Sequence, residues 1–274
     1  MTMDGPRPIP SADEIWGKYD AMEARLSAPL SERMLDLARI GPGMRVLDLA
    51  TARGEPAIPA GHRVGPSGFV LGVDSSAGML AMAAQRATRE GLTNVELLVR
   101  DAASPDGLPG SGFDATLARW GLMYMDSPVA ALINARRAMV PGGVLVAAVW
   151  AEPERVQWFT LPRRVLQRYR GVPPVDFGSP GPFRYSATER LRRDLQQAAF
   201  HVQHVEELEG SVMEVETVEE AIDWVRAFGL TKLLNDLPEP AQRSWEDDFA
   251  RELEGLRKDG FFRLGGLTRI VVAS

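Results

Sequence analysis

Short apolar runs alternate with helical stretches between residues 45 and 150, and this alternation constrains the fold more than any other feature of the chain. Strands that alternate with helices are joined by right-handed crossovers, so the pattern predicts an α/β fold with a doubly wound, mostly parallel sheet and helices on both faces. Seven strands are predicted, at residues 45–50, 69–74, 95–99, 113–118, 144–150, 202–208 and 261–273.

The remaining segments predict how the chain is organised around this sheet. Helical periodicity begins at Ile15, and Ser31 is the predicted N-cap of a second helix. Two further predicted helices lie between the last two strands, where they suggest a helical lid insertion. The predicted division is an N-terminal helical lid segment at 1–40, a core at 41–150, an insertion or substrate cap at 151–187, and completion of the core at 188–274 with a lid at about 211–258.

Composition excludes several classes of function. The 274 residues carry a net charge of −6, so the strongly basic surface of a nucleic-acid-binding protein is absent. The chain has no cysteine, and its histidines and acids lack convincing metal-ligand spacing. No apolar run approaches the ~20 residues that span a bilayer. We therefore expect a cytoplasmic protein without metal, nucleic-acid partner or membrane span, while a homodimer stays open.

The most informative segment is Val46 to Pro56, which reads VLDLATARGEP. An apolar strand runs into small residues, and small residues let the backbone approach a ligand closely. In doubly wound sheets, ligands bind beyond the carboxyl ends of the strands. Taken alone, the segment fits a tight turn that binds nothing equally well.

Acidic residues at the ends of the next two strands favour a ligand-binding turn over a turn that binds nothing. Asp74 ends the second strand, and a carboxylate there can accept hydrogen bonds from both ribose hydroxyls of an adenosine. The alternative is that Asp74 caps the following helix. Asp101 ends the third strand, where it can accept from an adenine amino group while the N–H of Ala102 donates to the ring. Three acids at successive strand ends, Asp48, Asp74 and Asp101, are hard to explain as independent caps.

Taken together, these segments resemble the ordered motifs of class I S-adenosylmethionine (SAM)-dependent methyltransferases, in the style of the ubiquinone/menaquinone-biosynthesis branch. The resemblance covers about residues 15 to 150, and each motif is weak alone while the set is specific. The similar segments are 46–56 at the first strand, 73–80 and 100–102 at the next two, 119–124 after the fourth, and 139–143 before the fifth.

This resemblance implies a Rossmann-like core that binds SAM, releases S-adenosylhomocysteine and contains no metal. It places the turn from Ala50 to Gly54 against the methionine part of SAM, Asp74 on the ribose and Met79 on the adenine. The implied cofactor-binding residues are Tyr19, Asp48, Ala50, Thr51, Ala52, Gly54, Asp74, Ser75, Met79, Asp101, Ala102 and Arg119. It singles out no catalytic residue, because in-line displacement at a sulfonium depends mainly on alignment.

One departure from the family pattern concerns the turn itself. The central glycine of the family is Ala52 here, and its small polar neighbour is Arg53. Alanine adds a methyl group where the backbone nearly touches the cofactor, and it is strained if the position needs a positive φ.

The resemblance implies methyl transfer to an oxygen or carbon of a small acceptor, such as an aromatic, quinone-like or secondary-metabolite compound. The Asp/Asn-Pro-Pro-aromatic motif of nucleic-acid amino methylation is missing after the fourth strand. Two alternatives stay open. One is a SAM-binding cyclase or another non-methylating enzyme on the same fold. The other, weaker one is an NAD(P)-dependent oxidoreductase, which needs a Gly-x-Gly-x-x-Gly turn that this chain lacks.

The aromatic side chains in and beside the predicted insertion have two possible interpretations. Together its aromatic residues favour a planar, apolar acceptor, although for any single one of them ordinary core and lid packing is the favoured explanation. These residues are Trp150, Trp158, Phe159, Phe183 and Tyr185. The basic run formed by Arg163, Arg164, Arg168 and Arg170 is predicted to be a solvated helix face.

Overall fold

The computed structural model describes residues 12–274, apart from the side chains of Ala12, Asp13 and Trp16. The strands in this part are β1 (Arg45–Leu49), β2 (Phe69–Asp74), β3 (Val95–Val99), β4 (Phe113–Arg119), β5 (Met139–Trp150), β6 (Val202–Val215) and β7 (Phe262–Ala273). The α-helices are α1 (Ala12–Leu37), α2 (Ala57–Val64), α3 (Ala77–Arg89), α4 (Pro128–Ala138), α5 (Gln157–Leu166), α6 (Thr188–Gln197), α7 (Val218–Val225), α8 (Thr231–Asn235) and α9 (Glu239–Glu254).

The strands form one sheet in the order β3-β2-β1-β4-β5-β7-β6. The pairs from β3 through β5 are parallel, and β7 runs antiparallel to β5. The strand order reverses direction between β1 and β4, which is where a doubly wound sheet opens a crevice for a ligand. The predicted fold class, an α/β fold with a mostly parallel seven-stranded sheet, is confirmed.

The central strands are apolar because helices cover both faces of the sheet. Val46, Val70 and Leu117 are fully buried, as are Ala60 and Val64 of α2. Each buried Val or Leu side chain contributes about 1.5–3 kcal/mol relative to exposure. The continuous apolar runs of the sequence are thus explained by burial on two sides.

By its internal contacts the chain separates into two units. The core unit comprises Ala28–Glu152, Asp176–Leu208 and Leu267–Ser274, and it contains β1 to β5. The helical unit comprises the residues up to Ser27 together with Pro153–Val175 and Glu209–Gly266, and it contains α5, α7, α8 and α9. The predicted division at residues 40, 150 and 187, with its lid, stays a prediction.

One local prediction was wrong. Helix α1 is continuous to Leu37, so Ser31 caps no second helix, and its buried hydroxyl instead donates to Glu55 Oε2 at 2.9 Å. There a long-range partner overrides a local signal.

The turn predicted at 141–143 lies within the bounds of β5, which begins at Met139. It is an irregularity of that strand: pairing with β4 passes from Met139 directly to Val144, and Gly142 has φ 81°.

No helix within residues 12–274 has the length and apolar character needed to cross a bilayer.

Candidate functional site

The turn after β1 is held together by its own backbone. The carbonyl of Thr51 accepts hydrogen bonds from the N–H groups of Gly54 at 2.8 Å and Glu55 at 3.1 Å. The N–H of Thr51 in turn donates to the carbonyl of Val73 on β2 at 3.0 Å, and the Thr51 side chain is buried. The turn therefore presents a defined main-chain surface at the end of β1 and β2.

This turn uses left-handed backbone at three positions. Ala50 has φ 55°, Ala52 has φ 48° and Gly54 has φ 89°. Only glycine adopts this region freely, and a residue with a Cβ costs about 1–2 kcal/mol there. Ala52 therefore carries the strain that its sequence position implied.

Steric room around the turn is limited to small residues. A Cβ added to Gly54 would lie 2.7 Å from Ile58 Cδ1, and a Cβ added to Gly121 would lie 2.5 Å from the Cβ of Ala50. Both distances are shorter than any van der Waals contact between carbons. Packing and its φ of 89° both favour glycine at position 54, whereas packing alone requires it at position 121, where φ is −95°.

Asp74 joins the ends of the first two strands. Its Oδ2 accepts from the N–H of Ala52 at 2.9 Å, and its Oδ1 accepts from the N–H of Ser76 at 2.8 Å. The alternative that Asp74 caps α3 is wrong, because Ser76 is the N-cap and its hydroxyl accepts from Met79 N–H at 3.3 Å. A carboxylate has about four acceptor positions, so the partly exposed Asp74 keeps two for a ligand.

The loop after β3 is positioned by a residue that the sequence analysis missed. The side-chain amide of Asn134 on α4, which is 6% exposed, donates to the carbonyls of Ala102 and Ser104, each at 2.9 Å. Asp101 is exposed, and its Oδ1 accepts from the N–H of Ala103 at 2.8 Å. The signal in the sequence was one amide on the otherwise apolar buried face of a helix.

Asp48 differs from the other two acids. It lies one residue before the end of β1 and is fully buried, and its Oδ2 accepts from the N–H of Ala57 at the start of α2 at 3.1 Å. Burial raises the pKa of Asp48 to about 7, although the charge of Arg119 acts in the opposite direction. The idea of three acids at open strand ends thus holds for Asp74 and Asp101 only, and direct cofactor contact by Asp48 stays a prediction.

The residues after β4 combine charge with aromatic packing. The guanidinium of Arg119, whose residue is 9% exposed, lies 5.0 Å from the ring centroid of Trp120. Trp120 stacks on Trp150 with centroids 4.5 Å apart and donates its indole N–H to Thr268 at 3.2 Å. Trp120 and Trp150 are therefore packing residues of the core unit.

Glu55 anchors the turn to two helices. It is 4% exposed, accepts from Ser31 and forms an ion pair with Arg86 Nη2 at 2.6 Å. Arg86 also donates to Glu90, whose pKa is lowered by its hydrogen bonds to His62 and Arg86 against the opposing effect of burial. The acid that follows Gly54 in the motif thus stabilises α1, the turn and α3, and Arg53 beside it is likewise buried.

The remaining predicted aromatic residues fall into two groups. Phe183 and Tyr185 are each 1% exposed in the core unit, and the Tyr185 hydroxyl donates to Asp194 at 2.7 Å. They are core residues, like Trp150. Trp158 and Phe159 belong to the helical unit and are partly exposed, so only these two offer ring surface to a ligand.

Tyr19 also lies in the helical unit. It is 6% exposed, its ring centroid is 6.0 Å from that of Phe228, and burial raises its pKa. Its predicted reach to the methionine carboxylate stays a prediction.

The three histidines, the side chains that commonly act as a base near neutral pH, make contacts away from the turn after β1. His62 lies 2.7 Å from Glu90 and His204 lies 3.0 Å from Glu206, both on exposed side chains, while the backbone of His201 pairs with that of Ser274. Among residues 12–274, no three His, Asp or Glu side chains converge as metal ligands would.

The strand-end residues of the core unit fit an adenosyl group. Asp74, Ser75, Met79 and Asp101 are partly or fully exposed, and Asp74 accepts a hydrogen bond from the small residue Ala52 in the turn. Free acceptor positions on Asp74 suit two ribose hydroxyls, and the defined loop at Ala102 suits recognition of a ring edge. Which of these residues contact a cofactor stays a prediction.

Comparison with known proteins gives consistent results. Residues 40–160 match a family model described as a methyltransferase domain. An aklanonic acid methyltransferase from Streptomyces sp. (strain C5) is 33% identical over 131 residues, which cover 48% of this chain and 59% of that relative. A nocamycin O-methyltransferase from Saccharothrix syringae is 28% identical over 249 residues, 85% of each chain.

The fold is also similar to solved structures. The crystal structure of the cyclase SpnF matches 91% of this chain and 80% of its own, with a TM-score of 0.56 and 20% identity. At that identity the similarity concerns the fold alone.

Proposed function

We propose, from the match of residues 40–160 to a methyltransferase-domain model, that the protein is a class I SAM-dependent methyltransferase, which binds SAM and transfers its methyl group to a small organic acceptor. One observation carries the proposal. The carboxylate of Asp74 ties the strained turn at Ala52 to the end of β2 and keeps acceptor positions for a ribose. The ordered motifs of the sequence support the same function.

The proposed cofactor contacts follow from the strand ends of the core unit. Asp74 accepts from the ribose hydroxyls, Met79 packs on the adenine, and Asp101 with the Ala102 N–H reads its edge. The turn from Ala50 to Gly54 presents main chain to the methionine part, with Arg119 beside it. These roles rest on the family resemblance and, for Asp74, Met79 and Asp101, on partial or full exposure.

Bound SAM would supply a methyl group on a positively charged sulfur. The acceptor atom forms a bond to the methyl carbon while the carbon–sulfur bond breaks, and the bonding pair stays on sulfur in S-adenosylhomocysteine. The protein's task is to align these atoms and exclude water. A general base is needed only if the acceptor must lose a proton.

We propose an aromatic, quinone-like or secondary-metabolite acceptor that is methylated on oxygen or carbon. One relative is named an aklanonic acid methyltransferase and the other a nocamycin O-methyltransferase, and both names support a small-molecule acceptor. The net charge of −6 supports the same conclusion, because it disfavours nucleic acid.

Calorimetry tests cofactor binding. We expect SAM and S-adenosylhomocysteine to bind the purified chain and NAD to give no heat of binding. Asp74→Asn should weaken SAM binding about tenfold or more, since hydrogen bonds to a charged acceptor are the strong ones. Asp106→Asn, at a side chain that is 87% exposed, is the matched control and should bind like the wild type. Binding of NAD without SAM would refute the proposal.

Methyl transfer is tested separately with radiolabelled SAM and a panel of phenols, hydroquinones and aromatic acids. Incorporation of label into any of them supports the proposal. SAM binding without transfer to any acceptor would instead favour a SAM-binding cyclase or another non-methylating enzyme.

A further inference from the structure

The basic run on and after α5 contains one arginine that differs from the rest. Arg164 pairs with Glu252, Arg168 pairs with Asp248 and Glu252, and Arg170 pairs with Asp236. These three fit the predicted solvated helix face. Arg163 is partly buried, and none of the carboxylates whose side chains the structure describes, which lie within residues 14–274, is within ion-pair distance of it. Its charge is therefore left without a counter-ion by the described part of the protein.

The guanidinium of Arg163 is fixed in position by an aromatic ring. Its Cζ lies 3.5 Å from the ring centroid of Phe159, one turn earlier on α5, and its Nη1 donates to the Phe159 carbonyl at 3.4 Å. Burial lowers the pKa of Arg163 to about 10, so it keeps its charge at neutral pH. Stacking uses the face of the guanidinium, while its N–H donors point outward in the plane.

Phe159 is the end of a continuous row of rings in the helical unit. Successive centroids are 5.8 Å apart for Phe159–Trp158, 6.2 Å for Trp158–Trp224, 4.5 Å for Trp224–Phe228 and 6.0 Å for Phe228–Tyr19. We call these five residues the aromatic row. Phe159, Trp158 and Phe228 are partly exposed, whereas Trp224 and Tyr19 are buried.

A cation beside exposed aromatic surface is complementary to an anion on a planar apolar molecule. A partly buried charge is unfavourable unless a partner compensates it. A guanidinium edge with free donors matches a carboxylate, which it can bind through two parallel hydrogen bonds. The exposed rings of the aromatic row offer stacking surface to the rest of such a molecule.

We propose that Arg163 and the exposed rings of the aromatic row form a binding site for a planar, carboxylate-bearing ligand. In this site Arg163 anchors the carboxylate and the rings hold the apolar part. The inference rests on the proposed function only where it identifies this ligand as the methyl acceptor. The site itself is defined within the helical unit.

The test uses a charged probe and its neutral isostere on the full chain. Calorimetry should show that 2-naphthoate binds the wild type at least about tenfold more tightly than 2-naphthamide, because the amide cannot form the charged pair. Arg163→Gln should reduce this preference to about one while leaving the weaker binding of the amide unchanged. Arg163→Lys should retain part of the preference.

Arg164→Gln is the matched control, since it removes the same charge from the next residue of α5. It should keep the wild-type preference for naphthoate. Equal affinity of the two probes for the wild type, no binding of naphthoate at millimolar concentration, or an unchanged preference in Arg163→Gln would each overturn the inference. Circular dichroism must show that each variant is folded. If Arg163→Gln is unfolded, Arg163→Lys is the test, and a preference for naphthoate as large as that of the wild type would overturn the inference.

Calorimetry with SAM on the same variants separates the two proposals. Intact SAM binding with no naphthoate preference refutes the anionic site alone. Absent SAM binding with an intact preference refutes the proposed function alone and leaves the ligand site standing.

Discussion

The two proposed ligand sites, at the turn after β1 and at the aromatic row, are built by opposite means. The turn depends on the main chain. Its backbone is left-handed at Ala50 and Ala52, and the N–H of Ala52 donates a hydrogen bond to Asp74. The aromatic row depends on side chains, with rings that contact one another in tilted and edge-to-face pairs and a cation at the end. A backbone site tolerates only small residues, whereas a ring site can change its specificity by single substitutions. The first suits an invariant cofactor and the second suits a particular acceptor.

The largest effect is expected where a side chain carries the structure. Trp224 is 3% exposed and contacts Phe228 and Trp158. Trp224→Ala should lower the free energy of unfolding by as much as about 5 kcal/mol, as other buried aromatic truncations do. Urea denaturation followed by circular dichroism measures this. Trp158→Ala, at a partly exposed ring, is the control and should lose clearly less; a loss below about 1 kcal/mol at Trp224 would show that the row is not a packing element.

A pH-dependent effect is expected at the turn, where Asp48 is buried and its pKa is raised to about 7 from 3.8. Between about pH 4 and pH 7 the folded state holds a proton that the unfolded state has lost. The contribution of Asp48 to stability is therefore fully present below pH 4 and falls as the pH rises to 7. Asp48→Asn lacks this dependence, so its stability relative to the wild type should rise by up to about 4 kcal/mol over that window.

Urea denaturation of both proteins at several pH values provides the measurement. Other carboxyls titrate in both proteins, so only the difference between the two curves reports on Asp48. The control is Asp106→Asn at an exposed side chain, whose curve should run parallel to that of the wild type. Parallel curves for Asp48→Asn would mean that the carboxyl is not perturbed by its burial.

The smallest effect tests the strain in the turn. Ala52→Gly should raise the free energy of unfolding by about 1 kcal/mol, because glycine accepts the φ of 48° without strain. Thermal denaturation measures the change. Ala84→Gly on the exposed face of α3 is the matched control and should destabilise by about the same amount. Loss of stability in Ala52→Gly would contradict the assignment of strain to this position.

The sequence predicted those features that local chemistry determines. Strands β2 and β3 have the predicted bounds, because strands buried on both faces are mostly apolar and turn residues follow them directly. The acids Asp74 and Asp101 were identified in the sequence because they follow the apolar runs of β2 and β3. Their roles toward a cofactor remain predictions.

Features that depend on distant partners were not predictable. Ser31 has the chemistry of a helix cap, but its hydroxyl donates a hydrogen bond to Glu55, which lies 24 residues away in the sequence. Arg163 and Arg164 are adjacent and chemically equal. The ring beside Arg163 lies one turn earlier on the same helix, whereas the carboxylate that pairs with Arg164 comes from Glu252 on α9, 88 residues away. Asp48 appeared equivalent to Asp74, although its position inside β1 buries it completely.

The contact between Ala50 and Gly121 has a consequence for the history of such sequences. The two positions share room for a single methyl group, since a second Cβ would lie 2.5 Å from the first. Substitution at one position is therefore coupled to the other: a chain that acquires alanine at position 121 must first, or at the same time, give up alanine for glycine at position 50. Substitutions at positions 50 and 121, which are 71 residues apart in the sequence, are thus constrained together by the volume that the two side chains share.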